Sequence, residues 1–433
     1  MKRPVRRTAV LILAAGRGTR LKSELPKALH PICGRPMLGH LIETAGRLSK
    51  DRVVVAGYGY ELVRESIDGR ARLVRQDKLL GSGHAVQCAE RVLKGYDTVV
   101  VLYCDTPLLR ASTLEALVER RCATGADCVL LSAELDRPTG YGRIIRAADG
   151  AVERIVEEND ATADQKRIRE INVGSYVFDG PKLFAALKRV RCNPLKKEYY
   201  LTDAVGILAS EGRVEAVVSS DPEEILGANS RTELLTLQAV CRRRLVGMHA
   251  ENGVIFRDPD SVVLDADVRI GEGTTVHAFT VIEEASVIGR GCSIGPFARI
   301  RGASRIADGA VVGNFVEVVR SRIGGRTQAK HLTYLGDAEI GRGVNVGAGT
   351  ITANFDGRDK HRTVIADGAQ IGSGTVLVAP VRIGRGSKTG AGAVVTKGRN
   401  VPDGAVVAGV PARRLGTKAA QRNGRLKKRE SVR

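Results

Sequence analysis

The stretch Val287-Ile288-Gly289-Arg290-Gly291-Cys292-Ser293-Ile294-Gly295 places an aliphatic–glycine pair and repeats it six residues later. The same pair returns at Ile270-Gly271, Val312-Gly313, Ile323-Gly324, Ile340-Gly341, Val346-Gly347, Ile371-Gly372 and Ile383-Gly384. A six-residue period of this kind reads as a left-handed parallel β-helix. Each hexad supplies one short strand and one corner, and three hexads close a coil of about 18 residues. The aliphatic residue fills the prism and the glycine lets the backbone turn. Of the 50 glycines, 29 lie in the last 181 residues, so the repeat has a clear border near Gly253. From there to about Gly409 there is room for about eight or nine coils. Aromatics make up only 4% and Trp is absent, as a narrow aliphatic core requires.

Upstream the grammar differs. Strand-like runs at Ala9–Ala15, Arg52–Ala56, Thr98–Tyr103 and Cys128–Ala133 alternate with helical stretches at Met37–Leu48, Ser112–Ala123 and Lys182–Arg189. That alternation predicts an α/β Rossmann-like domain with a parallel sheet and crossover helices. Ser230 followed three residues later by Glu233 is a helix-start signal. The expected organisation is an α/β domain over 1–231, a linker helix over 232–252, the β-helix over 253–416 and a basic, disordered tail over 417–433.

The 433 residues carry a formal charge of +20. Lys2, Arg3, Arg6, Arg7 and the tail contribute part of it. A basic balance suits polyanionic partners: phosphorylated substrates, nucleic acid or an anionic membrane. No apolar run reaches the roughly 18 residues of a membrane span. Ala9–Ala15 runs into Gly16-Arg-Gly-Thr-Arg20 rather than a small-residue cleavage site, so it reads as a buried strand. Eight scattered cysteines form no C-x-x-C pair and no zinc spacing. Reduced thiols and a cytoplasmic protein are the expectation.

Leu13-Ala14-Ala15-Gly16-Arg-Gly-Thr-Arg20-Leu-Lys-Ser-Glu-Leu-Pro-Lys27 comes directly after the first strand. Gly16 and Gly18 free backbone N–H groups for phosphate oxygens, and Arg20 and Lys27 add charge. The string lacks the third glycine of a dinucleotide fingerprint and the Gly-Lys-Ser/Thr of a Walker A loop. The pattern L-x-x-G-x-G-T-R-x(5)-P-K resembles the signature of sugar-nucleotide pyrophosphorylases. Gln76-Asp-Lys-Leu-Leu-Gly81-Ser82-Gly-His-Ala85, Tyr103-Cys-Asp105, Thr139-Gly140, Glu157, Asn172 and Asn229 come in that family's order. With the hexapeptide half attached, residues ~8–411 resemble the family of bifunctional bacterial N-acetylglucosamine-1-phosphate uridylyltransferases / glucosamine-1-phosphate N-acetyltransferases.

The resemblance implies two reactions. In one, N-acetylglucosamine 1-phosphate attacks the α-phosphorus of UTP and pyrophosphate leaves. It places Mg²⁺ on Asp105 and Asn229, charge stabilisation on Lys27 and Arg20, and nucleotide contacts on Leu13, Ala14, Ala15 and Gly16. The uracil falls to Gln76, Gly81 and Ser82, and the sugar to Tyr103, Gly140, Glu157 and Asn172. In the other, glucosamine 1-phosphate takes an acetyl group from acetyl-CoA. His331 is the implied general base, oriented by Glu317 or a backbone group. Arg299, Tyr334, Asn345 and Lys360 are implied sugar and phosphate contacts. Ala348, Asn354, Phe355, Ser373 and Ala391 fall where the family meets CoA or the acetyl group. The family also implies a homotrimer.

His331 lies in Ala329–Ala338 and Lys360 in Asn354–Arg362, two stretches that break the hexad pattern and so read as loops. Three features depart from the family. Val319 stands where it usually has a Lys, Gly409 stands where it usually has an Arg, and the helix is about two coils shorter between Arg257 and Ile294. One alternative is a lone nucleotidylyltransferase whose β-helix only trimerises or regulates. Another is polyanion binding by the tail. The tail has no aromatic for base stacking, so no obligate nucleic-acid or membrane partner is expected.

Overall fold

The computed structural model describes residues 7–194 and 196–416. The basic tail and Lys2, Arg3 and Arg6 lie outside the described residues. The chain forms two compact units, Met1–Val240 and Cys241–Arg433. No helix among the described residues is long and apolar enough to cross a membrane. All eight cysteines are free thiols.

The first unit is built on strands β1 (Thr8–Ala14), β2 (Arg52–Ala56), β3 (Arg72–Arg75), β4 (Thr98–Tyr103), β5 (Cys128–Glu134), β6 (Glu170–Asp179) and β7 (Val214–Val218). They lie in the order β7-β5-β6-β4-β1-β2-β3. β1 is buried from Ala9 to Ala14, as a strand with helices on both faces must be. Helix α1 (Met37–Leu48) lays Leu38, Leu41, Ile42 and Ala45 on one face of the sheet. The parallel expectation holds for β1 with β2 and β4, and for β7 with β5. It fails for β6, which runs antiparallel to both β4 and β5. β6 enters from the hairpin Arg143–Arg146 and Val152–Val156, and an antiparallel entry needs no crossover helix. β1 is where strand order reverses, since β2 lies on one side and β4 on the other. In open α/β sheets the crevice at the carboxyl ends of such strands holds ligands.

In the second unit the longest parallel ladder has nine rungs, from Ile255–Phe256 to Val406–Ala408. That agrees with the coil number read from the repeats. Val276, Ile294, Val312, Ala329, Val346 and Ile371 stack as one buried interior column. The usual coil is 18 residues, as the Arg290 N–H to Asp308 bond between neighbouring coils shows. Two stretches depart from it. Asn314 and His331 stand on neighbouring rungs only 17 residues apart. There the chain forms two nine-residue strands, β8 (Val311–Val319) and β9 (Gln328–Gly336), that run straight through a corner. The loop expected over 329–338 is therefore a strand. The loop over 354–362 is real, and it lengthens its coil to 25 residues between Arg342 and Asp367.

Candidate active sites

The carboxyl ends of β1 and β4 open onto a cavity of about 360 Å³ lined by Leu13, Ala15, Gly16, Lys27, Gln76, Gly81, Ser82, Tyr103 and Asp105. Ala14 is buried behind it. The ammonium of Lys27 donates to Asp105 Oδ2 and to Asn229 Oδ1, each at 2.7 Å. The Ala228 N–H donates to the Asp105 carbonyl, which joins the two segments again. Asn229 is steadied by the cap of helix α2 (Arg231–Glu251). Glu233 Oε2 accepts from the N–H groups of Asn229 and Ser230, while Ser230 Oγ accepts from the Glu233 N–H. Gly18 has φ +70°, and a Cβ there would stand 2.7 Å from Lys27 Cβ. Glycine is what lets Lys27 reach the carboxylate.

The segment after β3 is fixed by a second set of contacts. Gln76 Nε2 donates to the Gly81 carbonyl at 3.1 Å, and Ser82 Oγ accepts from the Leu201 N–H at 3.1 Å. The Gly83 N–H donates to Tyr199 O, and the Tyr199 N–H to Leu80 O. Tyr103 packs edge-on against Tyr176, and burial pushes its phenol above the ordinary range. The Glu157 charge adds to that shift. Glu157 itself accepts from Thr202 Oγ1 at 2.9 Å. Burial, and then the carboxylates of Asp160, Asp203 and Glu198, raise its carboxyl above the usual value.

Other expected residues stand apart from the cavity lining. Asn172 spends its amide on Tyr176 Oη and the Gly174 N–H. Gly140, at φ +90° with open space over its Cα, donates its N–H to Glu158. Arg20 is exposed on the turn after Gly18 and does not line the cavity.

On the β-helix, Pro296, Asn314, His331, Ala348, Ser373 and Ala391 occupy one corner on successive coils. His331 Nδ1 faces Asn314 Oδ1 at 2.9 Å. An amide oxygen only accepts, so the ring proton sits on Nδ1 and the Nε2 lone pair is free. This corrects the expectation for Glu317, which instead accepts from Arg301 Nε at 2.8 Å. Arg299 pairs with Glu283 and shares a rung column with Glu317, Tyr334 and Ile351. Asn345 is exposed on the adjacent face.

Val319 is fully buried, so that position points into protein. Arg320 does not substitute for the missing Lys: it grips Asp337 through Nε at 2.7 Å and Nη2 at 2.8 Å. Asn354 Nδ2 donates to the same carboxylate. Arg320, and then Asn354, hold the Asp337 carboxyl below its usual range. Phe355 is exposed and bridges to Lys360 across the inserted loop.

Residues 10–195 match the MobA-like NTP transferase domain, and residues 285–320 and 362–397 match the bacterial transferase hexapeptide (six repeats). The bifunctional protein GlmU of Thermobifida fusca (strain YX) is 45% identical over 469 residues, covering 96% of each chain. That of Geobacillus thermodenitrificans (strain NG80-2) is 42% identical, covering 94% of this chain and 95% of its own. That of Caldanaerobacter subterraneus subsp. tengcongensis is 41% identical, covering 92% of this chain and 94% of its own.

The chain belongs to the bifunctional GlmU family. It is a two-domain transferase that handles nucleotides and sugar phosphates. Relatives named bifunctional align across both halves, which disfavours a β-helix that is only a scaffold.

Within this GlmU-family chain the sequence missed three participants. Arg17, rather than Arg20, lines the cavity. Asn314 partners His331. The fully buried Arg143 pairs with Glu158, which holds the Gly140 turn. One consequence concerns Gly81, at φ +94°, where a Cβ would stand 2.7 Å from Tyr199 O. Gly81→Ala is expected to raise the KM for nucleotide about tenfold or more, and to destabilise the first unit by about 1–3 kcal/mol. Nucleotide titration of initial rates and thermal melting check both.

Proposed function

We propose that the chain makes UDP-N-acetylglucosamine in two steps. Glucosamine 1-phosphate is acetylated from acetyl-CoA on the β-helix, and N-acetylglucosamine 1-phosphate then attacks UTP in the α/β domain. What carries the reading is that one chain holds both polar centres assembled: Lys27 on Asp105 and Asn229, and Asn314 on His331.

In the first domain the sugar phosphate oxygen bonds to the α-phosphorus as the bond to pyrophosphate breaks. Positioning and charge neutralisation suffice for such a transfer. Lys27, with Arg17 in the lining and Arg20 on the adjoining turn, meets the phosphates. The N–H groups around Gly16 add further donors. Gln76, Gly81 and Ser82 hold the uracil, and Tyr103, Gly140, Glu157 and Asn172 shape the sugar side. Asp105 and Asn229 fit Mg²⁺, because one carboxylate and one amide oxygen already converge on a cation, the Lys27 ammonium. Two hard oxygens leave the remaining positions to water and substrate phosphate, as Mg²⁺ prefers. Bound there, it would neutralise charge on the phosphates.

In the second domain His331 Nε2 takes a proton from the amine as the amine nitrogen bonds to the thioester carbonyl carbon. The Ala348 N–H faces the developing oxyanion, and the CoA thiolate leaves. Arg299, Tyr334, Asn345 and Lys360 receive the amino sugar phosphate. Asn354, Phe355, Ser373 and Ala391 receive CoA. A homotrimer is supported by an exposed apolar strip beside the His331 corner. Phe279, Phe297 and Phe315 stack at 5.0 Å centroid spacing, and Leu332 is 63% exposed. A second copy covering that strip would remove it from water. UTP and acetyl-CoA supply, with eight free thiols, argue for the cytoplasm.

The test is a paired assay on the full chain. Pyrophosphate is measured from UTP and N-acetylglucosamine 1-phosphate with Mg²⁺, and thiol from acetyl-CoA and glucosamine 1-phosphate. Both products are expected. Pyrophosphate without thiol would reduce the β-helix to a scaffold.

A further inference from the structure

Gln76 is 4% exposed and presents one end of its amide to the cavity. Both Nε2 hydrogens are used within the protein. One goes to the Gly81 carbonyl at 3.1 Å, the other to His84 Nδ1 at 3.0 Å. Among the described residues no donor reaches Gln76 Oε1, so the acceptor end is left for a ligand. Turning the amide over would set Oε1 against two acceptors and discard two hydrogen bonds. The Gly81 carbonyl enforces this always. His84 enforces it only in the tautomer with its proton on Nε2 and a lone pair on Nδ1. The ring sits on the short helix Ser82–Cys88, with Cys88 Sγ 3.9 Å from each ring nitrogen.

We propose that His84 is a specificity-determining positioning residue. By accepting from Gln76 Nε2 it holds Oε1 forward, and so selects a pyrimidine with a hydrogen on N3 over one with a lone pair there. Uracil is of the first kind and cytosine of the second. Against cytosine N3, Oε1 would face another acceptor, and a site built around one hydrogen-bond polarity rejects the other. The proposal rests on the reading of Gln76 as the base contact.

The test compares kcat/KM for UTP and CTP, each with N-acetylglucosamine 1-phosphate, in the wild type, His84→Leu, His84→Asn and Gln76→Ala. Leucine keeps bulk but offers no acceptor. The UTP:CTP preference should fall about tenfold, the scale of one lost hydrogen bond. Asparagine returns an acceptor oxygen near the Nδ1 position and should preserve the preference. Thermal melting establishes that each variant is folded, and His84→Ala replaces the leucine variant if that one is not. Equal losses for UTP and CTP in His84→Leu, with the preference collapsed in Gln76→Ala, would overturn the role of His84 and leave the base contact standing. An unchanged preference in Gln76→Ala would overturn the base contact itself, and the proposal with it. A folded asparagine variant that loses preference as far as leucine would also count against the proposal.

Discussion

Lys27→Ala should lower kcat/KM for pyrophosphate release by about 10²- to 10³-fold, the scale of removing one preorganised charge from a developing phosphate charge. Two effects act together. The ammonium is withdrawn from the phosphates, and the Asp105 carboxylate, now without its 2.7 Å partner, repels them. Lys27 is only 13% exposed and Asp105 29%, so water screens little of either effect. The second effect separates this lysine from a generic basic residue. Without Mg²⁺, Lys27→Ala/Asp105→Asn should bind UTP more tightly than Lys27→Ala, whereas with Mg²⁺ it should lose further turnover, because Asp105 is a proposed metal ligand. Acetyl transfer should be untouched, because the β-helix has its own continuous core. Steady-state pyrophosphate assays check the prediction, and a loss below tenfold would remove Lys27 from the chemistry.

His331→Ala should lower acetyl transfer by about 10³-fold, within the range for a positioned general base. Pyrophosphate release should be unchanged in the same preparation. The more discriminating variant is Asn314→Ala. It leaves the imidazole in place but frees its tautomer and ring angle, so kcat should fall by about tenfold or more with little change in KM for acetyl-CoA. Glu317→Gln should act differently. It loosens Arg301, its partner at 2.8 Å, and should appear in the KM for the amino sugar. If Glu317→Gln lowers kcat while Asn314→Ala does not, the assignment of the orienting group is reversed. Thiol release monitored with a chromogenic disulfide reads all three.

The β-helix was legible because each interior position meets the same constraint on every rung. A column such as Val276, Ile294, Val312 must be aliphatic, and the demand prints itself every coil. The phosphate loop was legible for a local reason too, since its glycines and Lys27 lie close together along the chain. What the sequence withheld depends on contacts across distance. Lys27 meets Asp105 across 78 residues and Asn229 across 202, and without the family pattern nothing local joins them. β6 could not be recognised as antiparallel from its apolar run, because direction comes from the hairpin that precedes it. Asn314 was hidden by a count. An 18-residue coil would set His331 above Gly313, whereas the 17-residue coil sets it above Asn314. Arg17 and Arg20 flank the same glycine, and only the turn geometry decides which side chain faces the cavity.

The prism behaves like a reading frame. Asp308 caps the Arg290 N–H from 18 residues away, and Asp367 caps the Arg342 N–H from 25, yet both bonds measure 2.8 Å. The additional residues leave the axis as the loop over 354–362 and return in phase. Every rung beyond them keeps its address. Length changes that restore phase are silent to the coils downstream. A single residue gained or lost within β8 or β9 is a frameshift, which would slide Asn314 out from beneath His331 while leaving every side chain of the centre present.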